Sequence, residues 1–179
     1  LNITYAGNIG YGQGLENIVI KIALYFKSKI KFSLIGDGSS VAFIEAQIKK
    51  FDVPNIVLMA PKKRNQLIEF YNNSDVLFLQ LNDVDAFRKV LPSKIFEYGS
   101  FDKPILAGVG GVAKTFIEDN FKYGYIYSPN DSSGAISKIK QIFDLEKVRV
   151  DNTSFVEKYD RKIITKLMVD NFTSKFKNI

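Results

Sequence analysis

The chain has 179 residues, 46% of them hydrophobic, enough for one well-buried domain and giving no reason for a second. Its 25 basic and 19 acidic residues leave a formal net charge of +6, which favours an anionic partner such as a nucleotide, a nucleic acid or an acidic membrane face. With no cysteine and no histidine, disulfide frameworks, thiolate zinc sites and Ser-His-Asp or Cys-His pairs are excluded from these residues, leaving Asp, Glu, Lys, Tyr and backbone dipoles for any chemistry.

The chain opens on a strand, Ile3 to Ala6, without an initiating methionine, as expected of a piece of a longer protein. The stretch "YAGNIGYGQGLENI" follows, with Gly7, Gly10, Gly12 and Gly14 ahead of a helical run from Leu15 to Ser28. Glycines admit positive φ and close approach of a bound group, and the N–H groups of a helix start attract anions. The spacing is neither GxGxxG nor that of a P-loop, because Gln13-Gly14 stands where a lysine and a hydroxyl are needed. A seat for a phosphate or sugar and a flexible turn both remain open.

A second strand, Lys31 to Ile35, runs into "LIGDG", where Asp37 either caps the next helix or accepts from hydroxyls. Helix Val41 to Phe51 and strand Asn55 to Met59 come next. The basic cluster "APKKRN", residues 60–65, then heads a helix from Asn65 to Asn73. That cluster reads as a solvated turn and no nucleic-acid partner is expected, since such a site interleaves stacking aromatics with a longer basic stripe. Strand Val76 to Leu81, helix Ser93 to Phe101, strand Pro104 to Ala107, helix Val112 to Asn120, strand Tyr125 to Tyr127 and helix Ser132 to Phe143 complete the alternation. The pattern then changes to one amphipathic helix, with Phe155, Tyr159, Ile163, Leu167, Phe172 and Phe176 at mostly four-residue spacing.

Six strands alternating with helices predict a doubly wound, Rossmann-like α/β fold with a parallel sheet, because "FSLIG" and "DVLFLQL" are apolar on both faces. The domain is expected over residues 1–145, with 146–179 as a helical tail packed on it. In such a sheet ligands bind beyond the carboxyl ends of the strands. No apolar run approaches the eighteen residues of a membrane span, and the lack of cysteine fits a reducing, cytoplasmic setting.

The loop "NDVDAFRKVLPSKIFEY" carries the sharpest signal. Pro92-Ser93 begins a helix whose first-turn N–H groups are expected to face the sheet's carboxyl edge as a phosphate seat. Arg88, Lys89 and Lys94 add cations around it. Glu97 stands a turn further in, where a carboxylate beside phosphates is repelled unless it faces a neutral group. An ionised carboxylate accepts from two adjacent hydroxyls at once, so a ribose diol is one reading, and complementing the helix dipole is the other.

"VLPSKIFEYGSFDKPILAG", with "YAGNIGYGQGLENI", "LIGDGS" and "NIVLMAPKKRNQLIEFYNNSDVLFLQL" in order before it, resembles the C-terminal donor-binding half of a GT-B glycosyltransferase of family 4. The subgroup it most resembles is the bacterial surface-polysaccharide transferases of the N-acetylfucosamine type. The resemblance covers about residues 1 to 145. It implies a nucleoside diphosphate sugar, UDP-linked, as donor, and retaining transfer without metal or other cofactor to a surface-polysaccharide or lipid-linked acceptor. The acceptor would be held by an N-terminal domain absent from this chain, and the fragment alone would barely turn over. The same resemblance implies that Gly7, Asn8 and Gly10 face the donor phosphates and acceptor side, and that Pro61 and Lys62 line the base pocket. Leu91, Ser93 and Lys94 would form the pyrophosphate seat, and Glu97 would bind ribose.

Two departures bear on mechanism. The first of the family's two spaced glutamates corresponds to Lys89, and the arginine and lysine that many members carry in the first glycine loop correspond to Asn8 and Gln13. Arg88, Lys89 and Lys94 are the candidates for stabilising the leaving phosphate instead. Lipid-linked acceptors would also give the positive charge a use in peripheral contact with the inner membrane face. A sugar-nucleotide epimerase half-domain and a non-catalytic interaction domain are the competing readings.

Overall fold

The computed structural model describes residues 1–144 and 150–176. Its elements, in chain order, are β1 (Asn2–Asn8), α1 (Val19–Phe26), β2 (Lys31–Asp37), α2 (Val41–Phe51), β3 (Ile56–Met59), α3 (Arg64–Asn72), β4 (Val76–Gln80), α4 (Lys94–Tyr98), β5 (Ile105–Gly108), α5 (Gly111–Asn120), β6 (Gly124–Tyr127), α6 (Ser132–Phe143), α7 (Thr153–Tyr159) and α8 (Arg161–Phe176). The six strands form one sheet in the order β3-β2-β1-β4-β5-β6, and all neighbours pair in parallel. This is the Rossmann-like α/β fold expected from the alternation.

Each strand feeds both faces, as the period of two requires. Val76 and Phe78 of β4 enter one core with Ile3, Tyr5, Phe32 and Leu34, covered by α1, α2 and α6. Leu77 and Leu79 enter the other with Ala6, Ile35, Ile105 and Ala107, covered by α3, α4, α5 and α7. Every residue of β4 is buried, which is why that stretch reads as a continuous apolar run.

Three local differences from the sequence expectation have physical causes. The run expected as one helix from Leu15 to Ser28 opens and closes with 3-10 turns, Leu15–Asn17 and Lys27–Lys29, around α1. The helix expected to reach Phe101 stops at Tyr98 and continues only as i→i+3 turns, with Ser100 N bonded to Glu97 O and Phe101 N to Tyr98 O. Gly99 lies there under the Phe155 ring, so close that a Cβ would stand 2.2 Å from it. The tail is two helices instead of one. α7 packs on the domain through Phe155 and Tyr159, whereas Ile163 and Leu167 of α8 are exposed. The apolar residues of α8 spread around most of its circumference, so they make no single stripe to lay on the sheet. Residues 145–149 and 177–179, over which the expected tail also runs, lie outside the described residues.

Candidate functional site at the sheet's switch point

The strand order reverses between β1 and β4, where chain connections depart in opposite directions and leave a crevice at the carboxyl ends. Beside it Gly7, Asn8, Gly36, Asp37, Pro61, Lys62, Leu67 and Lys94 line a cleft of about 340 Å3. A wider cleft of about 640 Å3 adjoins it through the shared residues Gly36, Asp37 and Pro61. Five of the residues singled out in the sequence, Gly7, Asn8, Pro61, Lys62 and Lys94, thus share one cleft although they come from the end of β1, the β3–α3 loop and the start of α4.

The glycines have a strand-level cause. Gly7 of β1 is paired with Gly36 of β2, and a Cβ at Gly36 would stand 1.8 Å from the Gly7 carbonyl oxygen, at a φ of +152°. Only glycine permits that approach. Beyond it the Tyr5 hydroxyl donates to the Asn8 carbonyl. Asn8 Nδ2 and Gly10 N both donate to Gln13 Oε1, at 2.8 and 3.3 Å, so Gln13 ties the glycine loop to itself.

In the α4 region Lys94 Nζ lies 2.7 Å from Glu97 Oε2, with the two side chains 23% and 32% exposed. The cation and the carboxylate therefore neutralise each other at the edge of the cleft. Lys94 Nζ also stands 5.7 Å from the Tyr98 ring centroid. The free first-turn donors expected here are largely engaged: Ile95, Phe96 and Glu97 donate their N–H groups to Pro92 and Ser93 carbonyls at 3.0 to 3.3 Å. Ser93 holds the N-cap position without a side-chain capping bond. Leu91 is half-buried and packs on the second core.

Three tyrosines lie beneath this cluster. Burial pushes the Tyr5, Tyr71 and Tyr98 hydroxyls well above the usual phenol range, and for Tyr71 and Tyr98 the Glu97 charge adds to the rise. The Tyr98 hydroxyl accepts from Ala6 N at 3.3 Å, which couples α4 to β1.

The three cations expected to act together do not share this cleft. Arg88, on the 3-10 turn Asp85–Lys89, pairs with Asp83 at 3.2 Å and Asp85 at 3.8 Å. It lines a different cleft, about 570 Å3, with Gly110, Gly111, Lys114 and Ser128. Lys89 is exposed at the end of the same turn. The sequence pattern treats Arg88, Lys89 and Lys94 as one group because they are close in the chain. In the structure the acidic partners Asp83 and Asp85 hold Arg88 on the other side.

A partly buried polar network next to the glycine loop went unread in the sequence. Asn130, at a φ of 61°, accepts at Oδ1 from Asn17 Nδ2 at 3.2 Å and Gln80 Nε2 at 3.3 Å. Its Nδ2 donates to Asn82 Oδ1 at 2.7 Å. Asn82 in turn donates to the Tyr11 carbonyl at 3.0 Å and, through its backbone, to the Gly12 carbonyl at 2.9 Å. Tyr127 closes the chain by donating to Gln80 Oε1 at 2.7 Å. The available signal was Gln80, a polar residue ending an otherwise apolar strand. Among the described residues no group of three or more Asp or Glu side chains stands together as a metal site, and no helix is long and apolar enough to cross a membrane.

A parallel six-stranded sheet with its cleft at this switch point defines a Rossmann-like α/β domain of the kind that forms the C-terminal domain of GT-B glycosyltransferases. The profile of the family "Glycosyl transferases group 1" matches residues 2–158, and the chain belongs to that family. Over 143 residues it is 28% identical to the probable glycosyltransferase WbjE of Pseudomonas aeruginosa, a match covering 79% of this chain and 36% of that protein. In fold it is similar to Anabaena Alr3699/HepE, solved in complex with UDP-glucose, with a TM-score of 0.80 and 14% identity over 97% of this chain and 48% of that one. It is also similar to the C-terminal domain of the group 1 glycosyl transferase LpcC from Francisella tularensis, with a TM-score of 0.65 and 14% identity over 88% and 85% of the two chains. The chain thus spans about a third of the length of its curated relative.

Proposed function

We propose that this domain binds a nucleoside diphosphate sugar, UDP-linked, as the donor half of a family 4 transferase. In this reading the sugar, a hexosyl or N-acetylhexosaminyl group, passes with retention to a surface-polysaccharide or lipid-linked acceptor held by a separate N-terminal domain. The observation that carries the reading is the Lys94–Glu97 pair, 2.7 Å apart, at a cleft that also holds Gly7, Asn8, Pro61 and Lys62. The pair presents, three residues apart, one group suited to phosphate and one suited to a diol.

The exchange on binding is energetically reasonable. A partly exposed ion pair of this kind is worth at most about 1 kcal/mol, whereas each hydrogen bond to a charged group contributes about 1.5–3 kcal/mol. Lys94 turning to the pyrophosphate and Glu97 to the ribose hydroxyls replaces one weak pair by several charge-assisted bonds. Pro61 and Lys62 would flank the base, and Asn8 and Gly10 the sugar and phosphates, with Leu91 and Ser93 behind the pyrophosphate. As the glycosidic bond breaks, negative charge grows on the departing diphosphate, and Lys94 is the cation placed to stabilise it. Arg88 lines the neighbouring cleft and Lys89 is exposed beside it, so they join only if the 3-10 turn that carries them moves. The match to WbjE supports glycosyl transfer, and the likeness to HepE, solved with UDP-glucose, supports the donor class.

Calorimetric titration with UDP tests the reading through Glu97→Gln. The variant keeps size but loses the charge and exchanges one acceptor oxygen for an NH2 donor, so UDP affinity should fall roughly tenfold or more while the unfolding midpoint hardly moves. Equal affinity in both proteins would remove Glu97 from the site. No UDP binding by the wild-type chain would favour a non-catalytic interaction domain.

A further inference from the structure

Tyr71 is one of the fully buried tyrosines in the neighbourhood of the cleft. It sits on α3, is 0% exposed, and its ring is wedged edge-on between Tyr98, at 5.5 Å, and Phe101, at 5.0 Å. Its hydroxyl finds no hydrogen-bond partner among the described residues. A buried hydroxyl left unmet is costly, and phenylalanine would fill the same space without that cost. The neighbouring tyrosines differ in this respect: Tyr5 donates to the Asn8 carbonyl and Tyr98 accepts from Ala6 N.

The group near the Tyr71 hydroxyl is the Glu97 carboxylate. After burial, the charge of Glu97 and its side-chain interaction with the hydroxyl are the next causes that hold the Tyr71 proton on. No hydrogen bond is formed between them. Glu97 is meanwhile held from the other side, with Oε2 against Lys94 Nζ. One carboxylate thus stands between a cation that already holds it and a donor with nothing to hold.

Resting on the donor-site reading above, we infer that Tyr71 is a positioning residue for Glu97: when Lys94 turns to the donor phosphates, the Tyr71 hydroxyl donates to the released carboxylate and fixes it for the ribose hydroxyls. Burial keeps the donated proton on the phenol, and the lone pairs of Glu97 that Tyr71 does not use stay free for the sugar. The hydroxyl has no such partner in the Lys94-paired arrangement and gains one in the bound arrangement. This gives an orphaned donor a use that its ring packing alone does not.

The test compares Tyr71→Phe with wild type by calorimetry, using UDP and its 2′,3′-dideoxy analogue. The substitution keeps the ring, so the unfolding midpoint should stay level or rise. UDP affinity should fall about tenfold, whereas affinity for the dideoxy analogue should change less than twofold, because no diol is there to be held. Equal losses for the two nucleotides, or no loss for UDP, would overturn the inference while leaving the donor-site reading intact. The readout is a ratio of two affinities in one protein, which partial unfolding does not mimic. Wild-type protein that binds neither nucleotide would sink the donor-site reading, and the role of Tyr71 with it.

Discussion

Gly36 shows how a single residue can be legible in the sequence while its reason is not. The "LIGDG" stretch reads as a turn in which Asp37 either caps the next helix or accepts from hydroxyls, but the constraint on Gly36 is between strands, since a Cβ there would stand 1.8 Å from the Gly7 carbonyl oxygen. Gly36→Ala should therefore destabilise the fold by about 2 kcal/mol or more, from positive-φ strain and displaced backbone. Thermal unfolding would show this as a drop of several degrees, and an unchanged midpoint would mean that the two strands can separate there at no cost. Lys94 and Glu97 were both legible from the PSKIFEY pattern, but their mutual ion pair was not, because chain spacing does not say which rotamers meet. Lys94→Ala should weaken UDP binding roughly tenfold and leave uridine binding unaltered, since only UDP has the phosphates that Lys94 is assigned to meet. A parallel loss for uridine in a calorimetric titration would take Lys94 off the phosphates.

Among the elements, long periodic helices and apolar strands were read closely, and short irregular pieces were not. α2 runs from Val41 to Phe51 as its spacing predicts, and β4 ends within one residue of its expected boundary. α4 falls short because Gly99 must pass under Phe155, a tertiary contact 56 residues away that no local pattern carries. The carboxamide network around Asn130 was hidden for the same reason, as its members come from three separate segments. Asn130→Ala removes three hydrogen-bonded contacts and places alanine in a left-handed conformation, so a cost of about 2–3 kcal/mol is expected. Hydrogen exchange should find the amides of residues 10–14 less protected in that variant than other loop amides. Loss spread evenly over the chain would instead make the network a global stabiliser with no special hold on the glycine loop.

At the scale of the whole molecule, the class of fold followed from alternation alone, but the position of the cleft depends on strand order. Nothing in six alternating strands states that β1 lies beside β4. That crossover brings the end of β1, the β3–α3 loop and α4 together, while Arg88, on the same β4–α4 connection as Lys94, lines the neighbouring cleft. The tail divides in a similar way. Four-residue spacing marks both helices as apolar but does not say which of them finds a surface. Phe155, 4% exposed in α7, belongs to the second core, so Phe155→Ala should cost about 3–5 kcal/mol. Deleting residues 161–179 should leave the unfolding midpoint within about 2 °C, since most of α8 is exposed. A large loss on that deletion would show that α8 contributes to the fold beyond what its exposure indicates.

Binding of a uridine nucleotide at the carboxyl ends of β1 and β4 would be seen in an amide-resolved NMR titration of the 15N-labelled chain with UDP. Saturable shifts are expected at Gly7, Asn8, Gly10, Lys62, Lys94 and Glu97, converging on one dissociation constant, with Gly110, Gly111 and Ser128 of the neighbouring cleft unmoved. Shifts centred on that neighbouring cleft, or none at millimolar UDP, would contradict it.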